Sequence, residues 1–378
     1  RSTQAKTLFP YTTLFRSSVA GSSSLTARNS GVAASIVLAD AGNNFQGAIS
    51  LDGSQVTVHD THALVLGRVV TTGHLDVVSG GPLTQTGPLQ VSGTADLTAT
   101  LGDITLTHAS NNFMGAVTLS GANISVRDSN ALPLGRLTST GNVSLASNGN
   151  VTQTGPIAIS GTTTISAGDG DITLTDVSND FTQALSVSGA NIRLHDAGAL
   201  TLAALTSTGN ADITTHGAMT FGTTSVRGDL AVNSGNGAIS QTQTIGVSGT
   251  ATFNAGSGAV DLSRSTNVFG ATPQIQAASS HVSSGGPYHV ASALGTDPHK
   301  PIFSGMAPAN TTVSVFDNGT LLGTTTADNT GAWRYEPTTF MIPGNHIITA
   351  SSASAVGVSG LSSPLPILVN ARFDTPNM

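Results

Sequence analysis

A 68-residue unit repeats along this chain, and the repeat restricts the folds that are open to it. An Asn-Asn-Phe or Asn-Asp-Phe motif recurs with a constant step, beginning at Asn43, Asn111 and Asn179. The fourth copy begins at Asn267 instead of at position 247, so a 20-residue insertion has entered the chain while the flanking pattern stays in register. A solenoid tolerates such an insertion, because each of its structural units contacts only its neighbours.

Short segments in which apolar and small polar residues alternate fill each unit, for example residues 104–107 and 142–145. β-Branched residues dominate these segments, and Gly, Asn, Asp and Ser separate them, which predicts short β-strands joined by turns. The 3.6-residue period of an amphipathic helix is missing, so βαβ units are not expected. An antiparallel sandwich is the alternative, but it accommodates a clean insertion less readily than stacked coils do.

We therefore predict an all-β fold in which residues 18–276 form a parallel β-helix. Dividing the 68-residue repeat into units near the size of the insertion gives about three coils per repeat, each of about 23 residues. With an interstrand spacing of about 4.8 Å, on the order of eleven coils would form a rod of roughly 50 Å.

Two columns of the repeat have predicted structural roles. The aromatic residue of the repeated motif is expected to fill the core at a corner, in the four copies Phe45, Phe113, Phe181 and Phe269. The Asn that begins the motif is expected at a turn, where Asn tolerates left-handed backbone and bonds to the local chain. A structural role is favoured over a binding role for this column, which holds Asn43, Asn111, Asn179 and Asn267.

A third column carries titratable residues and is the strongest candidate for chemistry, with His59-Asp60, Arg127-Asp128 and His195-Asp196. Three coils per repeat would separate these Asp residues by about 14 Å, three times the spacing between coils. Glycoside hydrolysis needs paired carboxylates about 5 to 10 Å apart. We therefore expect each Asp to close a turn after a strand, we assign no catalytic residue, and we do not expect an enzyme.

The best local metal candidate is the set His59, Asp60 and His62. Alternation along a strand would place His59 and Asp60 on opposite faces, which argues against a shared ion. Residues 169–171 (DGD) lack the glycine-rich repetition of calcium-binding nonapeptides and are expected to form a turn. No metal, cofactor or small-molecule substrate is predicted.

The composition of the chain excludes several kinds of site and partner. The chain has no Cys, which excludes disulfides and thiolate metal sites. Only 9 % of the residues are charged and the formal net charge is −7, without a basic stripe, so a nucleic-acid partner is not expected. No apolar run reaches the ~18 residues of a membrane span.

The first residues are excluded from the fold prediction. Residues 9–17 (FPYTTLFRS) resemble the translated sequence of a common sequencing adapter, and the chain begins at Arg1. We interpret residues 1–17 as an artefact of that adapter.

The repeat fades after Phe269, and a different pattern follows. Residues 277–298 are predicted to be a linker. Residues 299–370 contain short strand segments and a hairpin signal at residues 317–320 (DNGT), which predicts a small β-sandwich around Trp333, the only Trp. Residues 371–378 are left as a tail.

This C-terminal region resembles the bacterial Ig-like repeats of large surface proteins. The segments that carry the resemblance are residues 304–305, 313–317, 321–323, 331–333 and 343–350. The Cys pair of antibody domains is absent. The resemblance implies a module that serves as a spacer or as a contact with other cells.

The solenoid region, residues 31–272, resembles the β-strand repeats of filamentous-haemagglutinin-type exoproteins and autotransporter passengers. The resemblance is carried by residues 103–107, 111–113, 120–124, 132–134 and 153–156. It implies a right-handed β-helix, export by Gram-negative bacteria, and adhesion at the outer surface. The route of export stays open between two-partner secretion and autotransport.

Together these features predict a fragment of a large secreted or surface-attached bacterial adhesin. The β-helix would be a rigid stalk and the Ig-like module a spacer or contact domain. The expected partners are a receptor or glycan on a host or neighbouring cell and a secretion transporter. The alternatives are a β-helix enzyme that degrades polysaccharides, which the lack of Lys between Lys6 and Lys300 disfavours, and a phage tail-spike-like fibre.

Overall fold

A computed structural model describes residues 5–8, 17–264, 266–271, 273–282, 290–293, 300–307, 310–329, 331–354, 357–358, 362 and 364–369. The described residues contain 45 strands and no helix, which confirms the all-β prediction. No helix in this part of the chain is therefore available to cross a membrane. The chain divides into two compact units, the first from residues 1–242, 247–259 and 270–278 and the second from residues 243–246, 260–269 and 279–378.

The strands of the repeat region are short, as the alternating segments predict. In chain order they are β1 (Ala5–Leu8), β2 (Ser18–Val19), β3 (Ser23–Asn29), β4 (Val32–Ala33), β5 (Ile36–Leu38), β6 (Asn44–Phe45), β7 (Ile49–Gly53), β8 (Val56–Asp60), β9 (Leu64–Thr71), β10 (Leu75–Ser79), β11 (Leu83–Gln85), β12 (Leu89–Val91), β13 (Ala95–Ala99), β14 (Ile104–Leu106), β15 (Asn112–Phe113), β16 (Val117–Gly121), β17 (Ile124–Arg127), β18 (Leu132–Ser139), β19 (Val143–Ala146), β20 (Val151–Gln153), β21 (Ile157–Ile159), β22 (Thr163–Ser166), β23 (Ile172–Leu174), β24 (Asp180–Phe181), β25 (Leu185–Gly189), β26 (Ile192–Asp196), β27 (Leu200–Ser207), β28 (Ala211–Thr215), β29 (Met219–Val226), β30 (Leu230–Asn233), β31 (Ile239–Gln241), β32 (Ile245–Val247), β33 (Ala251–Asn254), β34 (Ala259–Leu262), β35 (Val268–Phe269), β36 (Gln274–Gln276) and β37 (Ser279–Val282).

The remaining strands lie in the C-terminal part of the chain: β38 (Val290–Ala293), β39 (Ile302–Met306), β40 (Thr312–Asp317), β41 (Thr320–Thr326), β42 (Ala332–Tyr335), β43 (Gly344–Ser354), β44 (Gly357–Val358) and β45 (Leu365–Val369).

The repeat region folds as a parallel β-solenoid of about 12 coils, which confirms the predicted architecture. Each coil contributes strand segments to two sheets, here called sheet A and sheet B. In sheet B, Val56 pairs with Leu75, Leu75 with Ala95 and Ala95 with Val117, so that successive coils advance the chain by 19, 20 and 22 positions. These coils are therefore shorter than the predicted length of about 23 residues, and more of them fit into the chain.

Equivalent residues of successive repeats lie in opposite sheets. Val56, Ile124 and Ile192 occupy the same position of the 68-residue repeat, yet Val56 and Ile192 belong to sheet B and Ile124 pairs within sheet A. The repeat therefore spans three and a half coils, and the prediction of three coils is wrong. Each repeat is turned half a coil relative to the one before, and its features face the other side of the solenoid.

Alternation places the apolar side chains of each strand inside. Along β8, Val56, Val58 and Asp60 are buried and the residues between them are half-buried. The predicted corner residues Phe45, Phe113 and Phe181 are buried, and the fourth copy, Phe269, is half-buried.

The repeated glycine of the Gly-Arg pairs has a steric cause. The pairing of β7 with β9, and of β16 with β18, shifts register beside Gly67 and Gly135. At this bulge the backbone approaches the preceding coil so closely that a Cβ on Gly67 would collide with the Ser50 hydroxyl, and one on Gly135 with the Thr118 hydroxyl. The bulge therefore lies at the same position of both repeats, and the third repeat has a similar register shift beside Ala203, so a small side chain is also accommodated there.

The C-terminal part consists of small antiparallel sheets. One sheet has the order β38-β39-β42, and the other has β40 between β41 and β43, with β44 and β45 both pairing with β43. Trp333 is buried in a cluster with residues of both sheets, among them Phe303, Val315 and Ile348, as predicted for this Trp. The hairpin between β40 and β41 turns at Asn318 and Gly319, both with positive φ, as the DNGT signal predicts.

The structure differs from the predicted boundaries at two places. The assigned linker, residues 277–298, contains β37 and β38, and β38 pairs with β39, so the antiparallel part extends back to Val290. At the other end, β1 lies in the segment assigned to the adapter and pairs in parallel with β3. Residues 9–16 and the predicted tail, residues 371–378, lie outside the described residues.

Candidate functional site

The Asn that opens each repeated motif is completely buried and connects three coils. The Oδ1 atom of Asn111 accepts a hydrogen bond from the backbone N–H of Leu89, 3.0 Å away on the preceding coil. Its Nδ2 atom donates to the carbonyl of Leu106 at 3.0 Å and to that of Arg127, on the following coil, at 3.2 Å. The same pattern is present, in whole or in part, at Asn43, Asn179 and Asn267.

The repeated Gln-Thr-Gly-Pro motif is the partner of this Asn. Gln85 Nε2 donates to Oδ1 of Asn111 at 2.8 Å, and Asn111 Nδ2 donates to Oε1 of Gln85 at 2.9 Å. Gln153 and Asn179 form the same reciprocal pair. Sequence reasoning identifies both motifs but misses their pairing, although the Gln precedes the Asn by 26 positions in each case.

The prediction of left-handed backbone at this Asn is wrong. Among the described residues other than Gly, only Ser30, Asn310 and Asn318 have positive φ. The Asn column is thus selected for the donor and acceptor of its amide, since buried backbone N–H and C=O groups must be paired. The structural role that the sequence favours for this column is confirmed, but through bonds between coils.

A buried Asp follows the Asn in each of the first three copies, with the same spacing in all of them: Asn43 with Asp60, Asn111 with Asp128, and Asn179 with Asp196. We call such a pair of Asn and Asp an inter-coil clamp. Asp60 Oδ2 accepts the backbone N–H of Phe45 at 2.6 Å, and its Oδ1 accepts that of His62 at 2.7 Å. Asp128 and Asp196 make the equivalent pairs of bonds at 2.7–2.8 Å. The second bond closes a local turn, as predicted, and the first ties the turn to another coil.

Burial changes the acidity of two of these carboxyl groups. Desolvation raises the pKa of Asp128 and of Asp196 above the usual Asp value, and the backbone N–H groups that bond to them act in the opposite direction. Both oxygens of each carboxylate are engaged with backbone N–H groups. Because equivalent residues lie in opposite sheets, the expected spacing of about 14 Å between successive Asp residues does not hold.

The three residues of the best local metal candidate do not converge on one position. His59 and Asp60 lie on opposite faces of β8, as expected from alternation. The Nε2 atom of His59 lies 3.3 Å from Oδ2 of Asp76, on the next coil, while both oxygens of Asp60 bond to backbone. In the part of the chain that the structure describes, no group of three or more His, Asp or Glu side chains is arranged to hold a metal ion.

Exposed polar side chains add a second type of bond between coils. Asn123 donates its backbone N–H and its side-chain amide to Oδ1 of Asp103, and its own Oδ1 accepts the N–H of Asn142. Oδ1 of Asn142 in turn accepts from Thr162. One repeat later, on the opposite side, a longer ladder runs through Asn150, Asp171, Asn191, Asn210, Asp229 and Thr250.

Sequence reasoning misses these ladders, although their members recur about once per coil. Asp171, in the segment that resembles a calcium loop, belongs to the longer ladder and accepts two hydrogen bonds from Asn191. In the clamps and in the ladders alike, recurring polar residues of the repeat form hydrogen bonds between neighbouring coils.

Comparison with known proteins supports the repeat as a family trait. Neither the curated proteins nor the solved structures contain a match to this chain. One family model matches residues 16–52, 53–120, 121–188 and 209–276, in the same 68-residue phase as the motifs and with the 20-residue insertion left between the third and fourth matches. These matches cover more than half of the chain, which therefore belongs to the family described as Repeats of unknown function (DUF5649).

Proposed function

We propose that this chain is part of a surface-exposed bacterial adhesin in which the solenoid is a stiff stalk. The observation that carries the proposal is the inter-coil clamp, which recurs from repeat to repeat and bonds three coils through one buried amide. A clamp of this kind resists sliding and bending of one coil against the next, because either motion leaves buried backbone groups unpaired.

A stalk of this type gains length in regular steps. Each 68-residue repeat of three and a half coils adds about 17 Å at the ~4.8 Å spacing between strands. Further coils can be added with the same packing and the same hydrogen bonds, since each coil contacts only its neighbours. A right-handed coil is proposed because crossover connections between parallel strands are right-handed in nearly all known cases.

The C-terminal part is proposed to be an Ig-like sandwich that acts as a spacer or contact module. The support is that its two antiparallel sheets share one apolar cluster and that the hydroxyl of Tyr335, on β42, donates to the carbonyl of Leu322, on β41, at 2.7 Å. A module of this kind offers shallow surfaces. The proposed partner is a receptor or glycan on another cell, reached after export by a secretion transporter.

The test is binding of the purified, fluorescently labelled chain to cells over a concentration series, with unlabelled chain as competitor. We expect saturable binding that the competitor abolishes. Two pieces divided between β37 and β38, residues 17–282 and 283–378, would then locate the contact. Absence of saturable binding by the whole chain and by both pieces would reduce the role of this chain to that of a spacer.

A further inference from the structure

One histidine on the outer side of sheet B is buried although its equivalents in the other repeats are not. His195 is 9 % exposed, whereas the equivalent Arg127 is exposed and His59 is half-buried. The Nε2 atom of His59 has a carboxylate neighbour, but the Nδ1 atom of His195 is enclosed and has no hydrogen-bond partner. A buried polar atom without a partner costs stability and calls for an explanation, and a bound ion is one such explanation.

A second histidine faces this ring from the next coil. The rings of His195 and His216 lie with their centroids 5.0 Å apart and their planes at 64°. His195 pairs in the strand ladder with Thr214, and His216 follows the end of that strand, where it is exposed to solvent. An ion can therefore reach the pair from the side of His216.

The charges at this corner favour a cation. Asp196 stays bound to the N–H groups of Phe181 and Gly198, so its carboxylate supplies negative charge without being free to act as a ligand. Because Asp196 follows His195 directly in the chain, this buried carboxylate lies close to the pair of imidazoles.

We propose that His195 and His216 bind one divalent transition-metal ion of the class that prefers imidazole, such as Zn²⁺, and so link two consecutive coils. Two nitrogen atoms at the usual Zn–N distance of about 2.0–2.1 Å are at most about 4 Å apart, which ring centroids 5.0 Å apart allow. The described residues supply no third side-chain ligand, so water completes the coordination. Hard cations such as Ca²⁺ need a shell of oxygen ligands and are not expected to bind here.

The experiment is calorimetric titration of the full chain with Zn²⁺ near pH 7.5, with Ca²⁺ as the second ion. We expect one Zn²⁺ per chain, and a loss of affinity on the order of 100-fold in His195→Gln and in His216→Gln, at least as much as loss of an outer partner of a metal ligand costs. His59→Gln is the matched control, because this residue occupies the same repeat position but is paired with Asp76. It is expected to bind Zn²⁺ as the unmodified chain does.

Nuclear magnetic resonance locates the ion independently of fold stability. Long-range ¹H–¹⁵N correlations of the histidine rings should show Zn²⁺ shifting nitrogens of His195 and His216 and leaving those of His59 and His74 in place. His216 is exposed, so His216→Gln is expected to keep its thermal transition, which circular dichroism checks. Absence of Zn²⁺ binding to the unmodified chain, or unchanged binding in folded His216→Gln, would overturn the proposal.

Discussion

A single amide explains why Asn recurs in this repeat while its neighbours vary. Asn111 both donates and accepts, and its partners are backbone groups of three coils as well as the amide of Gln85. Asp offers no donor, and Ala offers neither donor nor acceptor. The following position holds Asn112, Asp180 or Val268 in different copies, and these residues are half-buried or exposed. Selection at this motif therefore acts on hydrogen bonding at its first position and on core filling at its last.

Replacement of Asn111 tests this role. Asn111→Ala leaves the N–H of Leu89 and the carbonyl of Leu106 without their partner in the core. At roughly 1–3 kcal/mol for each buried group left unpaired, we expect a loss of about 3–5 kcal/mol in the free energy of unfolding. The measurement is equilibrium unfolding in denaturant followed by circular dichroism.

Two further variants separate the amide from the size of the side chain. Asn111→Asp keeps the shape but turns the Nδ2 donor into an acceptor that faces two carbonyl groups, so it should also be strongly destabilising. Asn112→Ala removes a half-buried neighbour whose side chain bonds only weakly to Asn130 at 3.3 Å, and it is expected to change stability by less than about 1 kcal/mol. Equal effects of Asn111→Ala and Asn112→Ala would contradict the clamp.

At the scale of the element, the coil is the building unit, although the sequence repeat spans three and a half coils. Alternation and turn residues are enough to predict strands, a parallel solenoid and the inward aromatic column. Dividing the repeat into whole coils gives too long a coil, because successive coils of one repeat differ in sequence and only the 20-residue insertion and the ladder residues mark the length of one coil. A repeat that spans an odd number of half coils has the same alternation of apolar residues as a repeat that spans whole coils, because the strands of both sheets bury the same apolar pattern.

The candidate site is predictable only in part, because its hydrogen bonds join residues of different coils. The constant spacing between Asn and Asp is visible in the sequence, and so is the turn that Asp closes. The partners of both residues are backbone atoms on adjacent coils, such as the N–H of Phe113 that bonds to Asp128. Their position depends on register, which only the three-dimensional pairing fixes. His195 and His216 belong to different coils, and nothing in the sequence marks them as neighbours.

Deletion of one coil tests whether the coil is the structural unit. Residues 209–227 form one complete coil, since Ala211 pairs with Leu230 and Ile192 with Ala211. Their removal joins Thr208 to Gly228, which restores the Thr-Gly sequence and lets Asn191 accept from Asp229 in place of Asn210. We expect a folded solenoid that is one coil shorter, with a β-sheet circular dichroism spectrum and a cooperative thermal transition.

The matched control is a deletion of half a coil. Removal of residues 218–227 eliminates β29 and joins β28 directly to β30, two strands of the same sheet. Strand β30 would then stand where β29 stood, so the pairing of β28 with β30 and the ladder bond from Asp229 to Asn210 would be lost at the junction. We expect this shorter deletion to lose the cooperative transition. The coil would be the wrong unit if the half-coil deletion were tolerated better than the full-coil one.

At the scale of the whole molecule, the two parts of the chain have separate cores of very different size. The solenoid core is a long column of aliphatic residues, whereas the C-terminal cluster is small and contains Trp333. A small core buries a smaller fraction of its surface and is correspondingly less stable. Trp333 is the only Trp of the chain, so its fluorescence reports on the C-terminal cluster alone.

This division predicts two unfolding transitions that different probes resolve. In a denaturant titration, Trp333 fluorescence should change at a lower concentration than the β-sheet signal in circular dichroism, which the solenoid dominates. Coincident transitions are the mark of two-state unfolding, and separate ones show that the two cores unfold independently. In Trp333→Phe the first signal should vanish while the solenoid transition stays in place. Superimposable curves in the unmodified chain would mean that the cores unfold together, and the C-terminal part could then not act as an independent module.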